Sequence, residues 1–390
     1  MKIALYGGSF NPPHLGHEEV AQTVYRELSP DIFLIVPDND PPHKELEEGS
    51  PSPEQRLELC KLAFEGIPNV CVSDMEIVRE GKSYTADTIS RLREDYEEDE
   101  IYLIMGTDMF LSFEEWYRYE HLFRQCILTV FPRTEDDMEA ILECKERFEK
   151  EYDADVRLLP HVALPMSSSE VREKLRVRLG SELLNDRVYS HIIKNAWYDA
   201  LPELSWLREK SYSYLKESRI GHVAGCESEA VLLAMHWGEN PEKAATAGIL
   251  HDITKKLSPE EQLKMCDEYG IICDELEKKT PKILHAKTGA AFARDKFGIS
   301  ESIYEAIRWH TTGKADMSLL EKITYLADYI EPTRDFEGVE ELRALAYEDI
   351  DEAMRRGLEM SVEDLNRRGI EPHHDTIDAL YWYTRAVQEN

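Results

Sequence analysis

Six short apolar runs, at 3–6, 32–36, 70–72, 101–105, 127–131 and 156–159, punctuate the first half of the chain, each flanked by turn or polar residues. Between them, apolar positions recur with helical spacing over 15–28, 54–65, 85–95, 113–123 and 136–150. Strands alternating with helices of this length predict βαβ units, a mostly parallel doubly wound sheet, and ligands at the strand C-termini. After about residue 200 the strand signal stops. Helical patterns follow at 203–218, 226–237, 241–255, 258–268, 285–296, 300–309, 318–330, 338–365 (with a break near 348) and 373–388. The expected fold class is therefore α/β followed by all-α. The change of period falls at Asp199-Ala200-Leu201-Pro202, where a proline suits a junction, and predicts domains over 1–200 and 201–390. The segment 44–52, rich in Glu, Gly, Ser and Pro, is expected to be a surface loop.

Composition narrows the function classes. The 390 residues carry 46 Lys and Arg against 78 Asp and Glu, a formal charge of −32. A duplex nucleic acid or an anionic membrane needs a basic face, so neither is expected as a partner. Phosphorylated small molecules stay open, since a few cations, metals and backbone N–H groups bind them locally. No apolar run reaches the ~18 residues a bilayer requires. Met1 leads straight into KIALYGG, without signal-peptide form. Seven cysteines with no CxxC spacing are expected to be buried thiols of a reducing compartment, hence a cytoplasmic protein. The acidic run 95–100 is expected to be a solvated turn.

The first strand runs into Gly7-Gly8-Ser9-Phe10-Asn11-Pro12-Pro13-His14-Leu15-Gly16-His17. Glycines at a strand end let backbone approach a phosphate. His14 and His17, three apart at a helix start, face one way and make an anion site with the helix N-terminus. The string resembles nicotinate-nucleotide adenylyltransferases of the (H/T)xGH nucleotidyltransferase superfamily. The likeness continues through Pro41-Pro42-His43-Lys44, Ser83-Tyr84-Thr85, Gly106-Thr107-Asp108, Trp116, Pro132-Arg133 and Met166-Ser167-Ser168-Ser169-Glu170-Val171-Arg172 to Tyr189-Ser190-His191, covering roughly 1–198. Ser169 stands where the family usually has Thr and keeps the hydroxyl.

That resemblance implies a Rossmann-like domain joining nicotinate mononucleotide to the AMP of ATP, with Mg²⁺ neutralising the pyrophosphate. It implies that Gly8, Ser9 and Phe10 offer backbone to phosphate, and that His14 and His17 contact the ATP phosphates and the developing charge. Ser168, Ser169 and Arg172 would hold the β/γ-phosphates. Lys44, Thr85, Trp116 and Arg133 would frame the pyridine nucleotide, Trp116 by stacking. Asp108 would meet the adenosine ribose or cap the strand end. His43, His121, His161 and His191 are expected to be surface or structural.

In the helical half, His222 lies in RIGHVAG, His251-Asp252 interrupt the apolar AATAGILHDI, and Asp328 sits inside the apolar ITYLADYI. A carboxylate in such a helix wants a cation. His222, His251, Asp252 and Asp328 on packed helices are the candidate metal ligands of an HD-type site, with Asp252 ligating or bridging. His285 and His310, in similar apolar contexts, would complete a second metal position or bind phosphate. His236 is expected to be structural. The ordered motifs resemble HD phosphohydrolases that cut diadenosine tetraphosphate into two ADP, over roughly 205–390. The resemblance implies iron, where ligand type alone also allows Zn or Mn, in a site of one or two metal ions. It makes Lys255, with Asp252, part of the catalytic group, Arg334 a phosphate binder, and the segment 373–376 a lining of the nucleotide pocket. Alternatives are another nucleotide conjugate for the transferase, another nucleotide for the HD domain, or an HD domain that binds metal and nucleotide without turnover.

Overall fold

The computed structural model describes residues 1–42, 45–79, 81–160 and 166–389, with the side chains of Glu135 and 386–389 left aside. The chain folds as two compact units, Met1–Leu201 and Pro202–Asn390.

The first unit runs β1 (Lys2–Gly8), α1 (Leu15–Leu28), β2 (Ile32–Pro37), α2 (Pro53–Ala63), β3 (Val70–Val72), α3 (Thr85–Asp95), β4 (Glu100–Gly106), α4 (Thr107–Leu111), α5 (Tyr119–Gln125), β5 (Ile127–Phe131), α6 (Met138–Tyr152), β6 (Val156–Leu158), α7 (Ser168–Arg176) and α8 (Asp186–Asn195). The strands form one sheet in the order β3-β2-β1-β4-β5-β6. Every pairing is parallel, with Ile3 beside both Ile32 and Ile101 and Leu103 beside Leu128. Ile3, Leu5, Leu103, Leu128 and Val130 pack with Phe110, Phe113 and Phe148 in one buried cluster. The order reverses between β1 and β4, so the crevice at their C-terminal ends, Gly8 and Gly106, is the place this topology reserves for a ligand.

The second unit is helical among its described residues: α9 (Leu204–Tyr214), α10 (Glu217–Trp237), α11 (Pro241–Leu250), α12 (Pro259–Glu268), α13 (Glu275–Lys279), α14 (His285–Phe297), α15 (Glu301–Trp309), α16 (Leu319–Ile330), α17 (Val339–Glu348), α18 (Ile350–Arg367) and α19 (His374–Glu389). Helices α10 and α11 approach so closely that a Cβ on Gly248 would stand 2.7 Å from the backbone α-carbon of Glu227. A Cβ on Gly225 would meet the Glu331 carboxylate, so that glycine lets Glu331 reach α10.

Several elements differ from expectation. The pattern over 113–123 is split into a short 3₁₀ turn, Phe113–Glu115, and α5, because Arg118 takes a left-handed φ of 55°. Helix α10 begins nine residues before the expected 226; Gly221 and Gly225 weaken the helical signal there, and the packing at Gly225 outweighs their low propensity. Helix α11 stops at Leu250, so His251 and Asp252 stand in turns just beyond it rather than inside a helix. Helices α4, α8 and α13 were not expected. Cys71 is exposed and Cys273 half-exposed, against the expectation of buried thiols, while the other five are buried. No helix among the described residues is long and apolar enough to cross a membrane.

Candidate active sites

The crevice in the first unit is a cavity of about 650 Å³ bordered by Gly8, His14, His17, Trp116, Arg133 and Ser168. Ser9, Phe10, Thr85 and Ser169 line it as well. Phe10 takes a left-handed φ of 43° and is buried, its ring edge-on to Tyr6, His17 and Phe64. Such strain in a non-glycine residue is held by its surroundings and is common at ligand loops.

His14 caps the start of α1, and its N–H donates to Nδ1 of His17 at 3.2 Å. A neutral His17 therefore keeps its proton on Nε2. Burial, with Arg133 nearby, pushes the His14 imidazole down to about 4, and burial with His14 holds His17 well below its ordinary value. Both rings enter the site neutral, as N–H donors rather than as the pair of charges an anion site first suggests. Nδ1 of His14 is buried without a partner among the described residues.

Arg172 is held by groups of the protein itself. Its guanidinium is 2% exposed, with Nη1 donating to the Asn11 carbonyl at 2.6 Å and Nη2 to Glu47 at 2.7 Å and Ser169 Oγ at 3.1 Å. It ties α7 to the loop after β1, and reaching a phosphate requires Glu47 to release it. Ser168 likewise donates to the Pro12 carbonyl at 2.9 Å. Asp108 caps no helix and pairs with Arg133 at 2.5 Å. Lys44, His43 and His161 lie outside the described residues. His121 and His191 are half-buried, beside Ser90 and Glu58 respectively.

Two positioning residues escaped the sequence reading. Arg56, fully buried on α2, donates to the Ser9 carbonyl at 2.6 Å and to Asp38 at 3.0 Å. A charge on the buried face of a predicted helix was the available signal. Asp137 accepts from Thr107 Oγ1 and the Arg133 and Thr134 N–H groups, joining the loops after β4 and β5.

In the second unit, four imidazoles converge. Nδ1 of His251, His285 and His310 lies 2.8, 2.6 and 2.6 Å from the carbonyls of Gly248, Lys282 and Ile307. Nδ1 of His222 lies 2.9 Å from the buried Glu331 carboxylate. A carbonyl oxygen only accepts, so Nδ1 of His251, His285 and His310 is the donor and, in a neutral ring, Nε2 presents its lone pair inward, while His222 has a carboxylate at each nitrogen, Glu331 at Nδ1 and Asp328 at Nε2. There Nε2 of His222 is 3.3 Å from that of His251, and Nε2 of His285 is 3.1 Å from that of His310.

Asp252 stands between the pairs: Oδ2 is 3.8 Å from His222 and 3.5 Å from His251, and Oδ1 is 3.2 Å from His285 and 3.7 Å from His310. Oδ1 is buried and receives no hydrogen bond among the described residues. Asp328 Oδ1 lies 3.0 Å from His222. Imidazole nitrogens around a buried, unsatisfied carboxylate fit cations: His222, His251 and Asp328 lie together, as do His251, Asp252 and His310, with His285 beside His310 and Asp252 able to bridge.

Burial pushes His285 down to about 4 and also lowers His310, so both lone pairs are available. Burial opposes charge on His251 too, but Cys226 and Asp252 outweigh it and raise that imidazole well above its ordinary value, a proton's place that a metal cation would take. Lys255 Nζ is 2.8 Å from His285 Nε2, and Arg219 Nε donates to Asp252 at 2.6 Å. Arg334 donates to the Asp328 backbone and carboxylate at 2.8 and 2.6 Å, so in this structure it clamps a ligand residue. His373 binds Asp274 at 2.9 Å, and His236 is exposed, its ring beside Trp237 and Tyr347. Glu331, the orienting carboxylate behind His222, was missed, since its partner is 109 residues away.

Comparison with known proteins agrees with both halves. Residues 5–174 match the cytidylyltransferase-like family model and residues 219–333 the HD domain model. A probable nicotinate-nucleotide adenylyltransferase of Carboxydothermus hydrogenoformans is 33% identical over 198 residues, 50% of this chain and 98% of the relative. Its counterpart in Fusobacterium nucleatum is 37% identical over the same shares. A solved structure described as a predicted HD superfamily hydrolase involved in NAD metabolism, from Clostridium acetobutylicum, is 36% identical over 48% of this chain and 100% of that one, with a TM-score of 0.47. The chain belongs to the nicotinate-nucleotide adenylyltransferase family and carries an HD domain in addition.

Proposed function

From that membership we propose a bifunctional enzyme. The first unit, Met1–Leu201, transfers AMP from ATP to nicotinate mononucleotide, and the second, Pro202–Asn390, hydrolyses diadenosine tetraphosphate to two ADP. The observation supporting the first activity is the His14–His17 pair lining the crevice at the ends of β1 and β4. In this reaction a phosphate oxygen of the mononucleotide attacks the α-phosphorus of ATP, the bond to the bridging oxygen breaks, and pyrophosphate leaves. No side-chain nucleophile is needed. The imidazole N–H groups and the backbone of Gly8, Ser9 and Phe10 bind the charge that builds on the phosphates. Thr85, Trp116 and Arg133 hold the pyridine nucleotide, and Ser168, Ser169 and Arg172 the distal phosphates once Glu47 swings away. Mg²⁺ accompanies ATP.

The observation supporting the second activity is the convergence of four Nε2 atoms about Asp252. His222, His251, Asp252 and Asp328 would hold iron or another transition metal, which would supply an activated water and neutralise the leaving ADP. Water adds to one inner phosphorus and the central bridging oxygen departs with the other ADP. Lys255 and Arg219, at the rim of the cluster, offer cations to the polyphosphate. The seven free thiols support a cytoplasmic enzyme. The direct test is to supply the purified chain with nicotinate mononucleotide, ATP and Mg²⁺, and separately with diadenosine tetraphosphate and Fe²⁺. The reading requires nicotinate adenine dinucleotide in the first tube and ADP in the second.

A further inference from the structure

A third group of chelating side chains lies where the segment entering α13 meets the start of α19. None of its residues is among the candidate metal ligands above. We propose that Asp274, His373 and His374 bind a divalent zinc-class ion, which staples these two elements together.

One carboxylate oxygen of Asp274 and one nitrogen of each imidazole lie within 4.8 Å of one another. Asp274 is fixed by its other oxygen: Oδ1 accepts the N–H groups of Leu276 and Glu277, each at 2.8 Å, and so caps α13. That leaves Oδ2 facing the histidines, 2.9 Å from His373 Nε2 and 3.7 Å from His374 Nδ1.

Asp375 stands behind both rings. Its Oδ2 is 3.3 Å from His373 Nδ1, and its Oδ1 is 3.3 Å from His374 Nε2. Each imidazole thus has one nitrogen toward a shared carboxylate and the other toward an orienting carboxylate, the outer-sphere arrangement of ligating histidines. The rings lie with centroids 4.2 Å apart.

Without an ion, the Asp375 N–H reaches His373 Nδ1 at 3.3 Å, so the ring proton sits on Nε2 and bonds Asp274. Binding places the ion on Nε2 and moves the ring proton to Nδ1, where Asp375 Oδ2, 3.3 Å away, accepts it and the Asp375 N–H gives up its bond to that nitrogen. Glu277 Oε1, 3.9 Å from His373 Nε2, supplies a further oxygen within reach, although Lys287 now holds it at 2.6 Å. Two imidazole nitrogens with one or two carboxylate oxygens suit Zn²⁺. The site has an entry path, since the His374 side chain is 63% exposed while that of His373 is 4% exposed.

The test uses the full chain, stripped with a chelator and dialysed against buffered Zn²⁺, with zinc per chain read by elemental analysis. His374→Ala removes an exposed ligand and leaves the buried His373–Asp274 bond in place; an unchanged circular dichroism spectrum establishes the fold. The proposal requires His374→Ala to hold about one zinc per chain fewer than the unaltered protein. Asp375→Asn should keep the saturating content but need roughly 10–100-fold more free zinc, as loss of an outer-sphere partner does. Equal zinc content in the unaltered protein and His374→Ala at every free zinc concentration up to the micromolar range would overturn it, and would leave these residues as a hydrogen-bonded joint.

Discussion

His285 and His310 place their Nε2 atoms 3.1 Å apart although each ring already donates its Nδ1 proton to a backbone carbonyl. Two lone pairs held face to face in a buried pocket are repulsive unless something positive lies between or beside them. Lys255 partly serves, 2.8 Å from His285 Nε2. A metal ion serves better, with Asp252 Oδ1 as the anionic partner. The preformed tautomers mean that little has to reorganise when metal arrives.

The orienting carboxylate behind His222 is the first point to test. Glu331→Gln keeps the size of the side chain but loses the charge that raises the basicity of the imidazole. Metal affinity should fall by about 10–100-fold. Adenylyl transfer should not change. Metal titration followed by both assays checks this, and undiminished affinity would remove Glu331 from the site.

Replacing His17 by Ala removes an N–H donor aimed at the developing charge. Turnover of adenylyl transfer should drop by on the order of 10²–10³, with diadenosine tetraphosphate hydrolysis intact. Steady-state kinetics decide it; turnover within threefold of the unaltered enzyme would exclude this role for His17.

Much of this architecture is legible in the sequence. The central strands are apolar over most of their length because a parallel sheet is buried on both faces, so runs such as 101–105 stand out. The candidate ligand residues stand out for the opposite reason, as polar positions inside apolar stretches. What is not legible has long-range or backbone causes. The left-handed turn at Arg118 that splits one helix has no local signature. The position of His251-Asp252 beyond α11 follows from where that helix ends, which an apolar pattern running through Ile253 conceals. Glu331, Arg56 and Asp137 act through partners that only the fold brings near, and Glu47, which holds Arg172, is 125 residues away from it.

Glu18 gives a pH dependence with a definite sign. Burial raises its carboxyl from 4.5 to about 7, against the lowering effect of the bond from Asn185. A carboxyl whose folded pKa exceeds its unfolded value contributes full stability below about 4.5, and loses it as pH climbs through 7. Glu18→Gln keeps an oxygen for Asn185 without the charge. Relative to the unaltered chain it should therefore gain stability between pH 4.5 and 8, by roughly 1–2 kcal/mol after allowing for partial exposure to water. Denaturant melts at the two pH values measure it, and a constant difference would contradict the assignment.

Gly248 tests the packing that positions the HD ligands. With the α-carbon of Glu227 only 2.7 Å from where a Cβ would sit, Gly248→Ala must push α11 away from α10. Overpacking of this kind costs about 1–3 kcal/mol. The loss should appear as a lower unfolding midpoint together with weaker metal binding, because His251 follows directly on α11.

The product pair formed from diadenosine tetraphosphate tests the two-enzyme reading most directly. Chromatography of the nucleotides released by the iron-loaded full chain should show ADP alone, with Asp252→Asn inactive and adenylyl transfer by that variant unchanged. AMP plus ATP would place the cut elsewhere in the chain, and no hydrolysis by fully metal-loaded protein would leave the HD domain without the proposed activity.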